Sequence, residues 1–291
     1  MTDISTTSEA DRALKSEHRA MWALGDYPAV ATQVIAELGP VLVAATGIGP
    51  EDRVLDVAAG SGNASIPAAL TGATVVATDL TPELFDVGRR DAESAGASLE
   101  WREGDAEALP YPDASFDAVI SCVGVMFAPH HGIAADELLR VARPAGRLGV
   151  LSWTPGGFVG QMFATMKPYA PPPPPGAQPP PLWGDEAHVR RLLGDRVSDL
   201  AVHTAKLRVD RFETGADFRD FFKAAYGPTI AVYRNIADDE NRVAALDRDL
   251  LELARRFDLG GGVMDWEYLL VTARRNRPAR TERPTPARRH D

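Results

Sequence analysis

Cysteine occurs once in the 291 residues, at Cys122. A single thiol cannot close an intrachain disulfide, so the fold must rest on its core, and a reducing cytoplasm is the natural compartment. Histidine is also scarce, at six residues. No Cys/His grouping has the spacing of a metal-ligand set. Basic residues are outnumbered: 31 Lys and Arg stand against 41 Asp and Glu, a formal net charge of −10. A surface of that sign does not invite nucleic acid or an anionic membrane. No apolar run approaches the ~20 residues of a membrane span, so no membrane insertion is expected. The opening Met1-Thr2-Asp3-Ile4-Ser5 does not have the charged-then-apolar layout of a secretion leader. What remains, 45% hydrophobic and 25% charged residues, is an ordinary globular composition.

Against these absences, one stretch stands out. Val54-Leu55-Asp56-Val57 is an apolar run that enters the turn Ala58-Ala59-Gly60-Ser61-Gly62-Asn63. A second run, Thr74-Val75-Val76-Ala77-Thr78, ends on Asp79. Strand, glycine turn, helix, strand and carboxylate is the layout of a βαβ nucleotide site, where backbone approaches the ligand and an acid takes ribose hydroxyls. The third glycine of the dinucleotide pattern is missing, because Ser65 stands there. That glycine serves helix–strand packing beside a pyrophosphate, so its loss suits a ligand without phosphates to cradle.

The pattern continues as a parallel sheet should, with strands expected at Arg53–Val57, Thr74–Thr78, Leu99–Glu103, Phe116–Cys122 and Arg147–Trp153. Helices are expected between them at about Ala64–Leu70, Pro82–Ala95 and Ile133–Val141. Ahead of the core, Ala10–Leu24 and Pro28–Ala45 read as helices, the second kinked or split at Gly39-Pro40, and residues up to Glu9 read as disordered.

With Gly104-Asp105-Ala106 and Leu109-Pro110, the Phe116-Asp117 strand start and Arg143-Pro144-Ala145-Gly146, the span from Val54 to Trp153 resembles a class I S-adenosylmethionine-dependent methyltransferase. The nearest subgroup is the ubiquinone/menaquinone-biosynthesis type, which methylates small apolar molecules. Two departures stand within the motifs. Ala58 replaces the first glycine of the usual Asp-x-Gly-x-Gly-x-Gly run, and Ala145 the first glycine of the usual Arg-Pro-Gly-Gly turn. A methyl group fits many glycine positions with negative φ, so neither excludes the ligand.

The resemblance implies an α/β fold: a doubly wound, seven-stranded, mostly parallel Rossmann-like sheet with the last strand antiparallel, plus N-terminal helices and a helical cap. It assigns the last two strands to Leu200–Phe212 and Trp266–Arg274. Residues 1–45 would form a helical lid and 46–274 the main domain, with cap insertions at about 155–195 and 213–262. Residues 275–291, rich in Arg and Pro, read as a disordered basic tail. Two helices are expected in the second insertion, near Ala216–Tyr226 and Asp238–Phe257, and another at Asp185–Leu193. Pro171 to Pro181 reads as an extended spacer.

The implied cofactor is S-adenosyl-L-methionine, with S-adenosyl-L-homocysteine as product. Ala58, Gly60, Ser61 and Gly62 would lie under its methionine part, and Asp56 would accept from its ammonium group. Asp79 would take the ribose hydroxyls rather than cap the Pro82 helix, a role that Thr81 could fill equally well. Leu80 would pack on the adenine, whose edge Asp105 and the Ala106 amide would read. Tyr27 would touch the donor, and Cys122 would stand beside it as a small buried residue. His130 and His131, after the fourth strand, are the candidate general bases and are not separable by sequence. No metal is implied. Trp22, Tyr27, Tyr226 and Tyr233 are candidates for a lid and an apolar acceptor pocket.

The function so implied is methyl transfer to oxygen or carbon of a small hydrophobic acceptor, aromatic, quinone or polyketide-like. The partner is that small molecule rather than nucleic acid, and a homodimer is compatible with the sequence. Two other readings stay open. A catalytically silent S-adenosylmethionine binder leaves no missing residue to betray it, whereas a nicotinamide-dependent oxidoreductase would need the third glycine and a catalytic set that is not found.

Overall fold

Residues 4–277 are described by the computed structural model. Seven strands form one sheet: β1 (Arg53–Val57), β2 (Thr74–Asp79), β3 (Glu100–Glu103), β4 (Phe116–Cys122), β5 (Ala142–Trp153), β6 (Val197–Val209) and β7 (Met264–Arg275). Their order across the sheet is β3-β2-β1-β4-β5-β7-β6. The first five strands pair in parallel, and β7 lies antiparallel between β5 and β6. Strands covered on both faces need no alternation of polarity, which is why β1, β2 and β4 are near-continuous apolar runs. Val54, Leu55, Val119 and Ile120 at the centre are wholly buried. The edge strand β3 reads Glu-Trp-Arg-Glu, and its charges discourage pairing with another chain.

Three helices precede the sheet: α1 (Ile4–Trp22), α2 (Tyr27–Gln33) and α3 (Leu38–Thr46). The crossovers carry α4 (Ser65–Leu70), α5 (Phe85–Ala95) and α6 (His131–Val141). Between β5 and β6 lie α7 (Phe158–Met166) and α8 (Glu186–Leu193), and between β6 and β7 lie α9 (Gly215–Ala225), α10 (Gly227–Asn235) and α11 (Glu240–Phe257). Phe158, Phe212, Phe218 and Trp266 are almost wholly buried and join the cap helices to β7 in one aromatic cluster.

Several expectations are corrected. Helix α1 starts at Ile4, so residues 4–9 are helical rather than disordered. Once the last turns of a helix are anchored, each further residue adds a hydrogen bond at little cost. The break between α2 and α3 falls at Val34–Glu37, and α3 runs through Gly39-Pro40. Pro40 lies in the first turn of α3, where a proline's missing N–H has no helical partner to lose. Helix α10 was not anticipated, because Gly227-Pro228 suggests a turn. The proline instead occupies the helix's opening positions.

At the other end, β7 extends through Arg275, whose guanidinium donates to the Ala142 and Arg140 carbonyls, and Asn276 N–H donates to the Arg196 carbonyl at 2.8 Å. These two residues therefore belong with the end of β7 in the sheet and not to a tail. The rest of the expected tail from residue 278, and residues 1–3 of the expected disordered start, lie outside the described residues.

The two alanines in glycine positions do not have negative φ. Ala58 sits at +55° and Ala145 at +66°, both left-handed, where an L side chain is strained. The backbone was thus built as for glycine and the methyl was accommodated. Among the described residues no single helix is long and apolar enough to cross a membrane.

Candidate active site

The carboxyl ends of β1, β2, β3 and β4 meet at a cleft, where ligands bind in open α/β sheets. The turn after β1 forms its floor. Gly60 has φ +58°, and a Cβ there would come within 3.1 Å of the Tyr27 ring. Gly62 (φ +93°) faces the Trp101 indole, which a Cβ would meet at 2.7 Å. Gly124, after β4, has no room for a Cβ because the Ala58 carbonyl is 2.3 Å from where it would lie. These glycines hold two strand ends and a tyrosine close together, and the cleft is what remains between them.

Asp79 ends β2 at the middle of the cleft wall. Its Oδ2 accepts the Gly60 N–H and its Oδ1 the Thr81 N–H, both at 2.8 Å. Burial raises its pKa above the carboxylate norm, and these two N–H groups oppose the shift. An ionised carboxylate has about four acceptor positions, so capacity for further donors remains. Leu80, Thr81 and Leu84 continue the wall, and Gly104, Asp105 and Ala106 extend it from β3. The Asp105 Oδ1 accepts the Glu107 N–H at 2.9 Å.

The opposite wall comes from the N-terminal segment. Lys15, His18 and Trp22 project from one face of α1. Lys15 Nζ lies 3.1 Å from Asp105 and 2.5 Å from Glu107. Burial works against the Glu107 carboxylate, yet Lys15 and His130 outweigh it and hold its pKa below normal. His18 titrates below its usual value, through burial and then the neighbouring ammonium of Lys15. Asp26 caps α2 by accepting from the Ala29 N–H, and this start places Tyr27 over Gly60. Trp22 meets Tyr27, Phe127 and Tyr226 edge-on, with centroids 4.7–5.7 Å apart.

Of the residues singled out from sequence, Tyr27, Ala58, Gly60, Asp79, Leu80, Asp105 and Ala106 line this cleft. Asp56, Ser61, Gly62 and Cys122 are buried in the layer around it. Asp56 is 1% exposed; its Oδ2 accepts from the Ser65 hydroxyl at 2.6 Å, while Oδ1 has no partner. Burial lifts its pKa to about 7. Cys122 lies beside the Asn63 amide, and burial raises its pKa far beyond that of a reactive thiol.

The two histidines, inseparable in sequence, part company. His131 is wholly buried, with Nδ1 3.0 Å from His188 Nε2 and its ring against Trp183. Burial and His188 push its pKa down to about 4. It belongs to the core beneath α6 and α8, which corrects its candidacy as a base. His130 follows Pro129, the last lining residue of this loop, without lining the cleft itself; its Nδ1 is 3.0 Å from Glu107 and its backbone N–H donates to the same carboxylate at 2.6 Å. Tyr233 is also removed from the site, since it bonds Asp247 under the Lys223 ammonium.

Lys15, His18, Thr81, Gly124 and Glu107 were missed by sequence reasoning. The spacing 15, 18, 22 on a helix was a usable signal, for it places a cation, an imidazole and an indole on one face.

Comparison with known proteins is consistent with this geometry. Residues 55–150 match the family model described as a methyltransferase domain. Over 270 residues, 93% of this chain and 98% of the relative, the sequence is 54% identical to the uncharacterized protein Rv1405c of Mycobacterium tuberculosis (strain H37Rv). Over 125 residues, 42% of this chain and 50% of the relative, it is 41% identical to a demethylmenaquinone methyltransferase of Mycobacterium sp. (strain KMS). The crystal structure of the YcgJ protein of Bacillus subtilis superposes with a TM-score of 0.56 at 16% identity, covering 83% of this chain and 99% of the other. That last likeness is one of fold. With the sheet order, the strand-end cleft and the matched domain in agreement, this chain belongs to the class I S-adenosylmethionine-dependent methyltransferases.

Proposed function

We propose that this enzyme methylates oxygen or carbon of a small, hydrophobic acceptor, aromatic, quinone or polyketide-like, and that the strand-end cleft holds its donor. The observation that carries the reading is the division of the cleft: backbone turns and carboxylates on the sheet side, aromatic rings on the lid side.

The residues present fit the donor. Asp56 keeps a buried oxygen without a partner, which suits an ammonium group. Asp79 retains acceptor capacity for two ribose hydroxyls. Leu80 and the Ala106 amide would meet the adenine, with Asp105 accepting from its amino group. The Gly60-Ser61-Gly62 turn would underlie the methionine part, with Tyr27 above and Cys122 behind. When bound, S-adenosylmethionine supplies a methyl group on a sulfonium. The residues named would hold that methyl in line with the acceptor atom, whose proton would pass to water or a base. Trp22, Tyr27 and Phe127 exclude water, which favours a reaction that loses charge. Alignment of the two reactants supplies much of the rate. His130 is the remaining candidate base, because Glu107 holds its Nδ1 and leaves Nε2 to take a proton.

Calorimetric titration with S-adenosylmethionine, S-adenosylhomocysteine and NAD tests the donor site, followed by an acceptor screen of apolar phenols and quinones. Saturable binding of the first two, none of NAD, and transfer to a member of the screen are expected. NAD binding alone overturns the reading. Asp79→Ala should weaken S-adenosylhomocysteine by about 30- to 100-fold, the value of charge-assisted bonds to two hydroxyls. Unchanged affinity would remove Asp79 from the site.

A further inference from the structure

Lys15 is only 9% exposed, and a lysine buried to that degree is paired. From α1 its ammonium reaches two carboxylates of the loop after β3, with Nζ 3.1 Å from Asp105 Oδ1 and 2.5 Å from Glu107 Oε2. One cation therefore serves two anions, and the two anions are not held alike. The Glu107 side chain is 6% exposed and is fixed from its far side by His130, whose Nδ1 meets Oε2 and whose backbone N–H donates to Oε1. The Asp105 side chain is 23% exposed. Among the described residues its one other donor is the Glu107 N–H, which reaches the same Oδ1 at 2.9 Å.

Two donors on one oxygen set the plane of the Asp105 carboxylate. They leave Oδ2 as an acceptor for a group entering the cleft that Asp105 and Lys15 both line. Without the ammonium, two like charges would face each other and the less tethered one would give way. Glu107 is tied to His130, so Asp105 is the one that would swing aside. An ionised carboxylate can only accept. Held in place at the cleft wall, it receives an exocyclic amino group and opposes a carbonyl oxygen in the same position, lone pair against lone pair.

We infer that Lys15 is a positioning residue for the donor's base: it aligns Asp105 so that Oδ2 takes the amino group of an aminopurine and turns away the corresponding oxopurine. The inference rests on the donor reading of this cleft and deepens it. It also joins the two sides of the site, because Lys15 can align Asp105 only while α1 is docked. Recognition of the base and docking of α1 then favour each other, as linkage requires.

The test titrates the full chain calorimetrically with S-adenosylhomocysteine and with S-inosylhomocysteine, in which a carbonyl replaces the amino group. The wild-type chain should prefer the amino base by about 100-fold or more, as a site built to take an N–H does. Lys15→Met should cut that preference about 10-fold, whereas Lys15→Arg, which can still bridge the two carboxylates, should keep it within about 3-fold. In an Asp105→Asn background Lys15→Met should leave the preference unchanged, since the group it aligns is gone. A lysine that merely docks α1 would weaken both ligands by one factor. An unchanged preference in Lys15→Met therefore overturns the inference, as does an equal fall in the Asp105→Asn background. A wild-type chain that binds both ligands equally well overturns it too, by removing Asp105 from the base. A measurement on the wild-type chain needs no variant to fold: at equal saturation, S-adenosylhomocysteine should slow amide exchange in α1 by about 3-fold more than S-inosylhomocysteine does. Equal protection by the two would count against Lys15 in the same way. Failure of S-adenosylhomocysteine to bind the wild-type chain would instead defeat the donor reading itself.

Discussion

Asp56 is held with one oxygen on the Ser65 hydroxyl and the other bare, in a place where water does not reach. Its pKa of about 7 lies above the ordinary 3.8, so the folded chain keeps a proton that the unfolded chain releases. The stability from that proton is complete below about pH 4 and is lost as pH rises toward 7. Replacing Asp56 with Asn removes the dependence. The stability of Asp56→Asn relative to wild type should therefore grow by about 3 kcal/mol between pH 4.5 and pH 8, measured by urea denaturation at both. A difference that stays flat would show that Asp56 is already ionised in the fold. Ala145 gives a second test at this scale. Its left-handed φ of +66° penalises the Cβ, whereas glycine there is free of that strain. Ala145→Gly should raise stability by about 0.5–1 kcal/mol, the strain relief outweighing the added entropy of the unfolded chain.

At the scale of elements, α1 is the part whose role came from contacts rather than from its own pattern. It docks by Lys15 on Asp105 and Glu107, by Arg19 on Glu83 and Glu103, and by Trp22 on the aromatic wall. The Arg19 pairs are exposed and contribute little. The Lys15 pair is buried, with 11% and 6% of the Lys15 and Glu107 side chains exposed, and removing one partner strands the other. Lys15→Met should weaken the docking of α1 by about 2–3 kcal/mol. Faster amide hydrogen exchange confined to α1 would report it, and unchanged protection would show that Trp22 alone holds the helix. Elements whose ends carry local signals were legible in the sequence: Asp185 caps α8 through the His188 N–H, and Thr214 with Asp217 forms a capping box on α9. The start of α10 was not, because Gly-Pro signals a turn and a helix N-terminus equally well.

Across the molecule, helices and sheet approach so closely that single atoms decide the packing. Gly39 on α3 lies against the turn after β1, and a Cβ there would fall 1.8 Å from the Asn63 carbonyl oxygen. Both sides of that contact are backbone, so neither can give way cheaply. Gly39→Ala should cost about 3 kcal/mol of stability and weaken S-adenosylhomocysteine, because the displaced turn is the cleft floor. Loss of stability with donor affinity intact would separate α3 from the site. Gly39 had suggested a kink when read alone, and only the neighbour across the fold explains it.

The strands of the parallel core were legible because burial on both faces demands continuous apolar runs, and Val54–Val57 and Val75–Ala77 can serve little else. The turn after β1 and Asp79, which line the strand-end cleft, were legible for a related reason: their signals are local, carried by residues adjacent in the chain. What joins distant segments was not. Nothing near His130 and His131 says that one imidazole faces Glu107 while the other is sealed against His188, 57 residues away. The sequence by itself determined the parallel sheet and the family, since these follow from periodicity and local spacing. Which histidine meets Glu107 and what holds α1 against the sheet were decided by the tertiary structure, since each depends on side chains that meet only after the chain has folded.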